Sequence, residues 1–138
     1  MKRNTALAIG AAATLAASFV WHGPGGAGER FALEADRIIR TTLDHYEMPA
    51  VTARMQRAPL TRRLMIDGPA DNFQRSEIKR ISLEVPGIST AHWAGPRDPA
   101  RAIPLLAEIM LLALTCFAIG VVVAYVIALR RRSRELFS

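Results

Sequence analysis

The sequence has few of the residues that usually carry chemistry, and none of them form a recognisable cluster. A single cysteine, Cys116, excludes an intramolecular disulfide and every CxxC metal or redox motif. None of the histidines, His22, His45 and His92, has a Cys, His or Glu partner at metal-ligand spacing. Phosphate-binding and nucleophile motifs are also missing. We therefore predict a protein that is not an enzyme and that uses no metal or cofactor.

Lysine is scarce as well, since only Lys2 and Lys79 occur among 18 basic residues. This bias is typical of GC-rich proteobacterial genomes. The net charge of +6 would favour a nucleic-acid partner only if the basic residues shared one folded surface. The excess instead lies at the chain ends, in Lys2-Arg3 and in Arg130–Arg134, each beside an apolar run. We predict no nucleic-acid binding and interpret these charges as membrane topology signals.

The second apolar run, Ile109–Leu129, contains no charged residue over 21 positions. As a helix it would be about 31 Å long, which matches a bilayer core of about 30 Å. Pro104 stands where such a helix would start. The run ends at three consecutive basic residues: Arg130, Arg131 and Arg132. We predict a transmembrane helix over 104–130 and a basic cytoplasmic tail over 131–138.

The first apolar run, Thr5–Trp21, allows two interpretations. A basic start followed by an apolar stretch is typical of a secretory signal peptide, and Ala16/Ser18 or Gly26/Gly28 could then precede the cleavage site. The alternative is a retained membrane anchor. The run is near the lower length limit for spanning a bilayer, and Trp21 closes it as an interfacial aromatic residue should.

We favour the retained anchor, a transmembrane helix over 1–22. Its small residues share one face, which predicts close packing on a partner helix. These residues are Ala6, Gly10, Ala13 and Ala17. Trp21 and Trp93 are both predicted to lie at the outer membrane interface, opposite the arginines of the cytoplasmic side.

Because basic residues flank both runs, both termini are predicted to be cytoplasmic. The chain between the runs then lies in the periplasm of a bacterium with two spans in the inner membrane. Glycine- and proline-rich segments at 23–28 and 94–103 are predicted linkers. They enclose a predicted domain at 29–93.

The first half of this domain shows a helical pattern over Glu29–Glu47 and then two strand patterns. Its predicted inward face comprises Phe31, Ala35, Ile38, Ile39, Thr42 and Tyr46. Val51, Ala53 and Met55 alternate with polar residues, as in a half-exposed strand. Leu60, Leu64 and Ile66 share the parity of a second strand, which Arg62 interrupts.

The second half predicts a helix and a last strand. Asp71 or Asn72 can cap the helix. Its predicted inward residues are Phe73, Ile78, Ile81 and Val85. Pro86-Gly87 ends the helix, and Ile88–Trp93 can form the strand. The predicted order is α-β-β-α-β.

The segment LTRRLMIDGPADNFQRSEIKRISLEVPGIST resembles the second half of a BON domain, a small α/β module of bacterial envelope proteins. In that family an apolar strand ends at a glycine, here Gly68. A charged helix follows and closes in a V-x-G-V/I turn, here Val85–Ile88. With the preceding helix and strand, the resemblance covers about 29–93. It implies an α+β, BON-like domain between two transmembrane helices, with no catalytic residues to transfer.

The resemblance implies binding to phospholipid or a role in holding envelope assemblies together. We predict a non-enzymatic accessory or assembly subunit of an inner-membrane protein complex, for which a respiratory or photosynthetic complex is one candidate class. The alternative is a phospholipid-binding envelope-maintenance protein. The residues predicted to contact membrane lipid or a partner form a local basic cluster: Arg54, Arg57, Arg62 and Arg63.

Overall fold

A computed structural model describes residues 3–95 and 102–135, with side chains from 4 to 95 and from 102 to 133. The described chain is a mixed α+β protein with four helices and one three-stranded sheet. The elements are α1 (Arg3–His22), α2 (Ala27–His45), β1 (Thr52–Arg57), β2 (Leu60–Asp67), α3 (Asn72–Ser82), β3 (Thr90–Trp93) and α4 (Leu105–Glu135). The predicted order α-β-β-α-β between the terminal helices is confirmed.

Two helices are long and apolar enough to cross a membrane, over Asn4–His22 and Leu105–Ser133. Helix α4 continues through the basic cluster to Glu135, so the first residues of the predicted basic tail are helical, while a membrane span over 104–130 stays a prediction. Arginine is a good helix former, and the cluster therefore does not stop the helix. The predicted linker 94–103 and tail 131–138 lie partly outside the described residues.

Helix α2 begins at Ala27, so the linker after α1 is shorter than the predicted 23–28. Gly26 precedes it with a φ of 71°. The buried side chains of α2 are Ala32, Ala35, Ile39 and Leu43. The predicted inward face is therefore rotated: Phe31, Ile38 and Thr42 are half-buried and Tyr46 is exposed. The two buried alanines add little bulk to the face that packs against the core.

The sheet has the strand order β1-β2-β3, with β1 antiparallel and β3 parallel to β2. Met55, Leu64 and Ala91 form one row across the three strands and are all buried. The predicted alternation of Val51, Ala53 and Met55 toward the core is confirmed. Ala53 is half-buried and the other two are buried. Helices α2 and α3 contribute to the same core.

Helix α3 begins with a capping box at Asp71, which is one of the two cap residues that the sequence predicts. The Asp71 carboxylate accepts a hydrogen bond of 2.7 Å from the Gln74 backbone N–H, and the Gln74 side chain accepts one from the Asp71 N–H. Ile78 is buried as predicted, whereas Ile81 is half-buried. The prediction for Phe73 is wrong, since its ring lies 76% exposed in the first helical turn.

Side chains of α2 also form hydrogen bonds with backbone groups on the free edge of β1. The Asp36 carboxylate accepts a hydrogen bond of 2.6 Å from the Met55 N–H. The Arg40 guanidinium donates one of 2.9 Å to the Val51 carbonyl. Polar groups on an open strand edge invite pairing with another chain. These two side chains therefore protect the sheet from edge-to-edge association.

Candidate interaction site

Within the described side chains, no group of three or more His, Cys, Asp or Glu residues is arranged to hold a metal ion. The histidines occupy separate places: His22 ends α1, His45 ends α2 and His92 lies in β3. The His45 ring meets the edge of Tyr46, with ring centres 5.5 Å apart. The features of interest are therefore the contacts between elements and the apolar surfaces that remain exposed.

Helices α1 and α4 pack as an antiparallel pair. Gly10 faces the Phe117 ring, so closely that a β-carbon at Gly10 would lie 2.9 Å from a ring carbon. Toward one end of the pair, Leu7 and Tyr125 line one cavity, and toward the other end His22 approaches Leu105. The residue numbers rise along α1 as they fall along α4, so the start of α1 and the end of α4 lie at the same end of the pair.

Only one residue of the predicted packing face of α1 is used within the chain, and its packing on a partner helix stays a prediction. Gly10 does sit at a close helix contact, but the contacting helix is α4 of the same chain. Ala6, Ala13 and Ala17 remain exposed. The half-buried residues of α1 include Gly10, Thr14, Ser18 and His22, which repeat every four positions. This face of α1 packs on α4 because the glycine at position 10 leaves room for the Phe117 ring.

The start of α4 is joined to the sheet. Thr61 pairs with Pro104 in an antiparallel bridge. The Arg62 guanidinium donates a hydrogen bond of 3.0 Å to the Gly87 carbonyl and lies 3.8 Å from the Glu108 carboxylate. These contacts explain why Arg62 interrupts the apolar pattern of β2: its side chain links the sheet to the α3–β3 turn and to α4.

The four arginines predicted as one contact cluster are dispersed. Arg57 forms ion pairs with Glu29 and Asp36, and the hydrogen bond to Asp36 raises the pKa of Arg57. Arg62 contacts the Gly87 carbonyl and the Glu108 carboxylate, and Arg63 is buried. Arg54 is exposed on the opposite face of the sheet from Met55. Successive strand residues point to opposite faces, so Arg62 and Arg63 are on different faces of the sheet, and Arg63 shares the face of Arg54.

The predicted interfacial pair of tryptophans is separated. Trp93 pairs with Ile66, five residues along β2 from Thr61, which lies beside the start of α4. At about 3.3 Å per residue, Trp93 lies about 17 Å along the sheet from the bridge between Thr61 and Pro104. Its indole N–H donates to the Arg75 carbonyl at 3.2 Å, and the Arg75 guanidinium lies over the ring. Trp93 therefore packs within the domain, whereas Trp21 is exposed on α1.

The end of the sheet away from the Thr61–Pro104 bridge carries several exposed apolar residues in its loops and in the first turn of α3, here called the distal tip. It consists of Pro49, Ala50, Pro69 and Phe73. Gly68 brings its loops together, since the Ala50 carbonyl lies 2.5 Å from where a Gly68 β-carbon would be. Two exposed carboxylates, Asp67 and Asp71, flank the tip. Sequence reasoning missed this surface because Phe73 follows the inward helical spacing.

A second opening lies between the C-terminal halves of α2 and α3. It is an open groove of about 460 Å³ to which Ile38, Tyr46, Ile81 and Val85 contribute. Glu77 lies on the same side of α3. Its carboxylate accepts a hydrogen bond from the Arg80 guanidinium, and this bond lowers the pKa of Glu77. This carboxylate is therefore ionised near neutral pH.

A third opening lies where α1, α2, β2 and α4 meet. This junction cleft has a volume of about 280 Å³. Its lining residues are His22, Gly23, Gly28, Pro59, Leu60, Pro104, Leu105 and Leu106. The cleft combines residues from three parts of the chain that are far apart in sequence: 22–28, 59–60 and 104–106.

No family model, no curated protein and no solved structure matches this chain. The structure shows a mixed α+β architecture, while the BON-like arrangement and membership of that family stay predictions. The functional argument therefore rests on the geometry of the exposed surfaces.

Proposed function

We propose that this protein is a non-enzymatic accessory or assembly subunit of a bacterial inner-membrane protein complex. In this proposal α1 and α4 cross the membrane as an antiparallel pair, and the BON-like domain stands in the periplasm. The observation that carries the proposal is the distal tip, where the 76% exposed ring of Phe73 lies at the end of the sheet away from the Thr61–Pro104 bridge. The tip is the surface that meets the partner subunit.

The membrane part of the proposal rests on charge and helix direction together. Arg3 begins α1 and follows Lys2 in the sequence, and Arg130, Arg131 and Arg132 lie in the last turns of α4. Since the pair is antiparallel, these basic residues belong to one end of it, as the positive-inside rule requires of the cytoplasmic side. The exposed apolar side chains of α4, Leu111 and Val122 among them, are suited to lipid.

The partner part rests on the chemistry of the tip. An aromatic side chain in water forgoes the large free energy of burial, and aromatic residues dominate the binding energy of protein interfaces. Asp67 and Asp71 beside Phe73 favour a partner with a basic rim around an apolar pocket. A subunit of a respiratory or photosynthetic complex would meet this description.

The alternative function, phospholipid binding for envelope maintenance, relied on Arg54, Arg57, Arg62 and Arg63 acting as one surface. Two of these arginines are engaged with carboxylates and one is buried. An anionic lipid surface would need several free cations side by side. The dispersal of the four residues therefore favours the protein partner.

The test is purification of the full chain from its own membranes in a mild detergent. We expect a stoichiometric partner with the native protein and a loss of roughly 30-fold in affinity for Phe73→Ser, as for an interface hot spot of about 2 kcal/mol. Leu33→Ser is the matched control, because Leu33 is also an exposed apolar residue of the domain, at 55%. No stoichiometric partner, or equal retention by Phe73→Ser, contradicts the proposal.

A further inference from the structure

The junction cleft is almost entirely apolar. Of its eight lining residues, only His22 has a polar side chain. Pro59 and Pro104 also lack a backbone N–H, which removes two hydrogen-bond donors from the wall. At about 280 Å³ the cleft is close to the lower end of small-molecule sites, which measure about 300–1,000 Å³. Its size and lining suit a ring or a chain segment with one polar group.

His22 has an unmet hydrogen-bonding atom at this cleft. Among the described residues, its buried Nδ1 has no hydrogen-bond partner, which costs free energy. The Cδ2 edge of the ring is turned to Gly28, 4.0 Å from where a β-carbon of that residue would lie. The final torsion of histidine is broad and roughly two-fold. A half-turn of the ring would exchange Cδ2 with Nδ1 and would bring Nδ1 to the edge that faces Gly28, a residue of the cleft lining.

The lining also defines the charge of the occupant. No Lys or Arg lines the cleft, so a phosphate or carboxylate would find no permanently charged cation there. The recognised polar group is therefore uncharged. The cleft joins the last residue of α1 to the first turn of α4, where the proposed topology places the outer membrane surface. A molecule dissolved in the bilayer can reach it directly.

We propose that the junction cleft binds a membrane-soluble molecule with an apolar body and one carbonyl group, and that the His22 imidazole donates a hydrogen bond to that carbonyl oxygen. Two membrane components carry this chemistry, the ring of an isoprenoid quinone and the acyl ester of a lipid. The inference rests on the membrane part of the proposed function and is independent of the protein partner.

The test uses the full chain in detergent micelles and counts bound molecules by native mass spectrometry. The probes are decyl-ubiquinone and dioctanoyl-phosphatidylcholine, added separately and then together. We expect a one-to-one complex with at least one probe. Preferential binding of one probe in the competition shows whether the carbonyl belongs to a quinone or to a lipid ester. Equal binding shows that the cleft recognises only the chemistry that the two probes share.

Two variants examine the cleft in different ways. Leu106→Trp fills the cleft. His22→Phe keeps an aromatic ring but removes the hydrogen bond, and we expect the affinity of this variant for the probe to fall roughly tenfold. Leu112→Trp is the matched control, since Leu112 lies on the exposed side of α4 and should bind as the native protein does. Far-ultraviolet circular dichroism of each variant verifies folding, and either variant alone suffices for the comparison.

The inference is overturned if neither probe forms a one-to-one complex with the native protein. It is also overturned if Leu106→Trp binds as well as Leu112→Trp, or if His22→Phe binds unchanged. Failure of the protein-partner proposal gives a different pattern, since Phe73→Ser should bind the probes normally whether or not it retains a partner.

Discussion

Gly68 shows at the scale of one residue how the end of β2 is specified. Its φ of 131° lies in the region that favours glycine, and a β-carbon would lie 2.5 Å from the Ala50 carbonyl oxygen and 2.9 Å from the Val51 Cα. The sequence predicts this need, because a glycine between an apolar strand and a turn is typical of a positive φ or of close backbone packing.

We expect Gly68→Ala to lower the free energy of unfolding by about 2 kcal/mol, from backbone strain and from displacement of the 50–51 backbone. In a domain of this size that corresponds to a fall in Tm of roughly 8–16 °C. Thermal unfolding of the full chain in detergent measures it. Gly95→Ala is the control, because its β-carbon would meet nothing closer than 3.9 Å. Equal Tm values for the two variants would contradict the argument.

The pairing of α1 with α4 operates at the scale of elements and depends on Gly10. A larger side chain there must displace the Phe117 ring, which lies 2.9 Å from the β-carbon position. Helix association in lipid depends on close packing, since water does not drive it. The helix contact is therefore sensitive to volume at this one point.

We expect Gly10→Leu to separate the two helices without preventing their insertion, because leucine is favourable in lipid. Distances between spin labels at Cys116 and at a cysteine introduced at Ala12 should lengthen or broaden. Gly120→Leu is the control, since a β-carbon at Gly120 meets nothing within 4 Å. The double variant Gly10→Leu/Phe117→Ala should restore the native distance. An unchanged distance in Gly10→Leu would show that the helix contact does not depend on this glycine.

At the scale of the whole molecule, the proposed topology places both ends of the chain in the cytoplasm and the domain in the periplasm. Alkaline phosphatase becomes active only where its disulfides form. We expect a fusion after Gly68 to be active and a fusion after Ser138 to be inactive. The reverse result, or activity from both fusions, rejects the two-span arrangement.

The alternative of a cleaved signal peptide is also decided at this scale. Cleavage would remove α1 and uncover the Phe117 side of α4, which α1 covers in the structure. We therefore expect the intact mass of the purified protein to include residues 1–28. A mass that lacks the first 18 or 28 residues would leave a single C-terminal anchor.

The sequence by itself determined the features that depend on neighbouring residues. The two apolar helices, the α-β-β-α-β order, the Asp71 cap and the need for glycine at position 68 follow from local periodicity and turn chemistry. Only the tertiary structure decided which face of each helix is covered. Phe73 has inward spacing and yet lies in solvent, because helical periodicity defines a stripe but not where the core ends. The contacts of Arg62 and the junction cleft join residues far apart in the chain, and no local pattern encodes such distances.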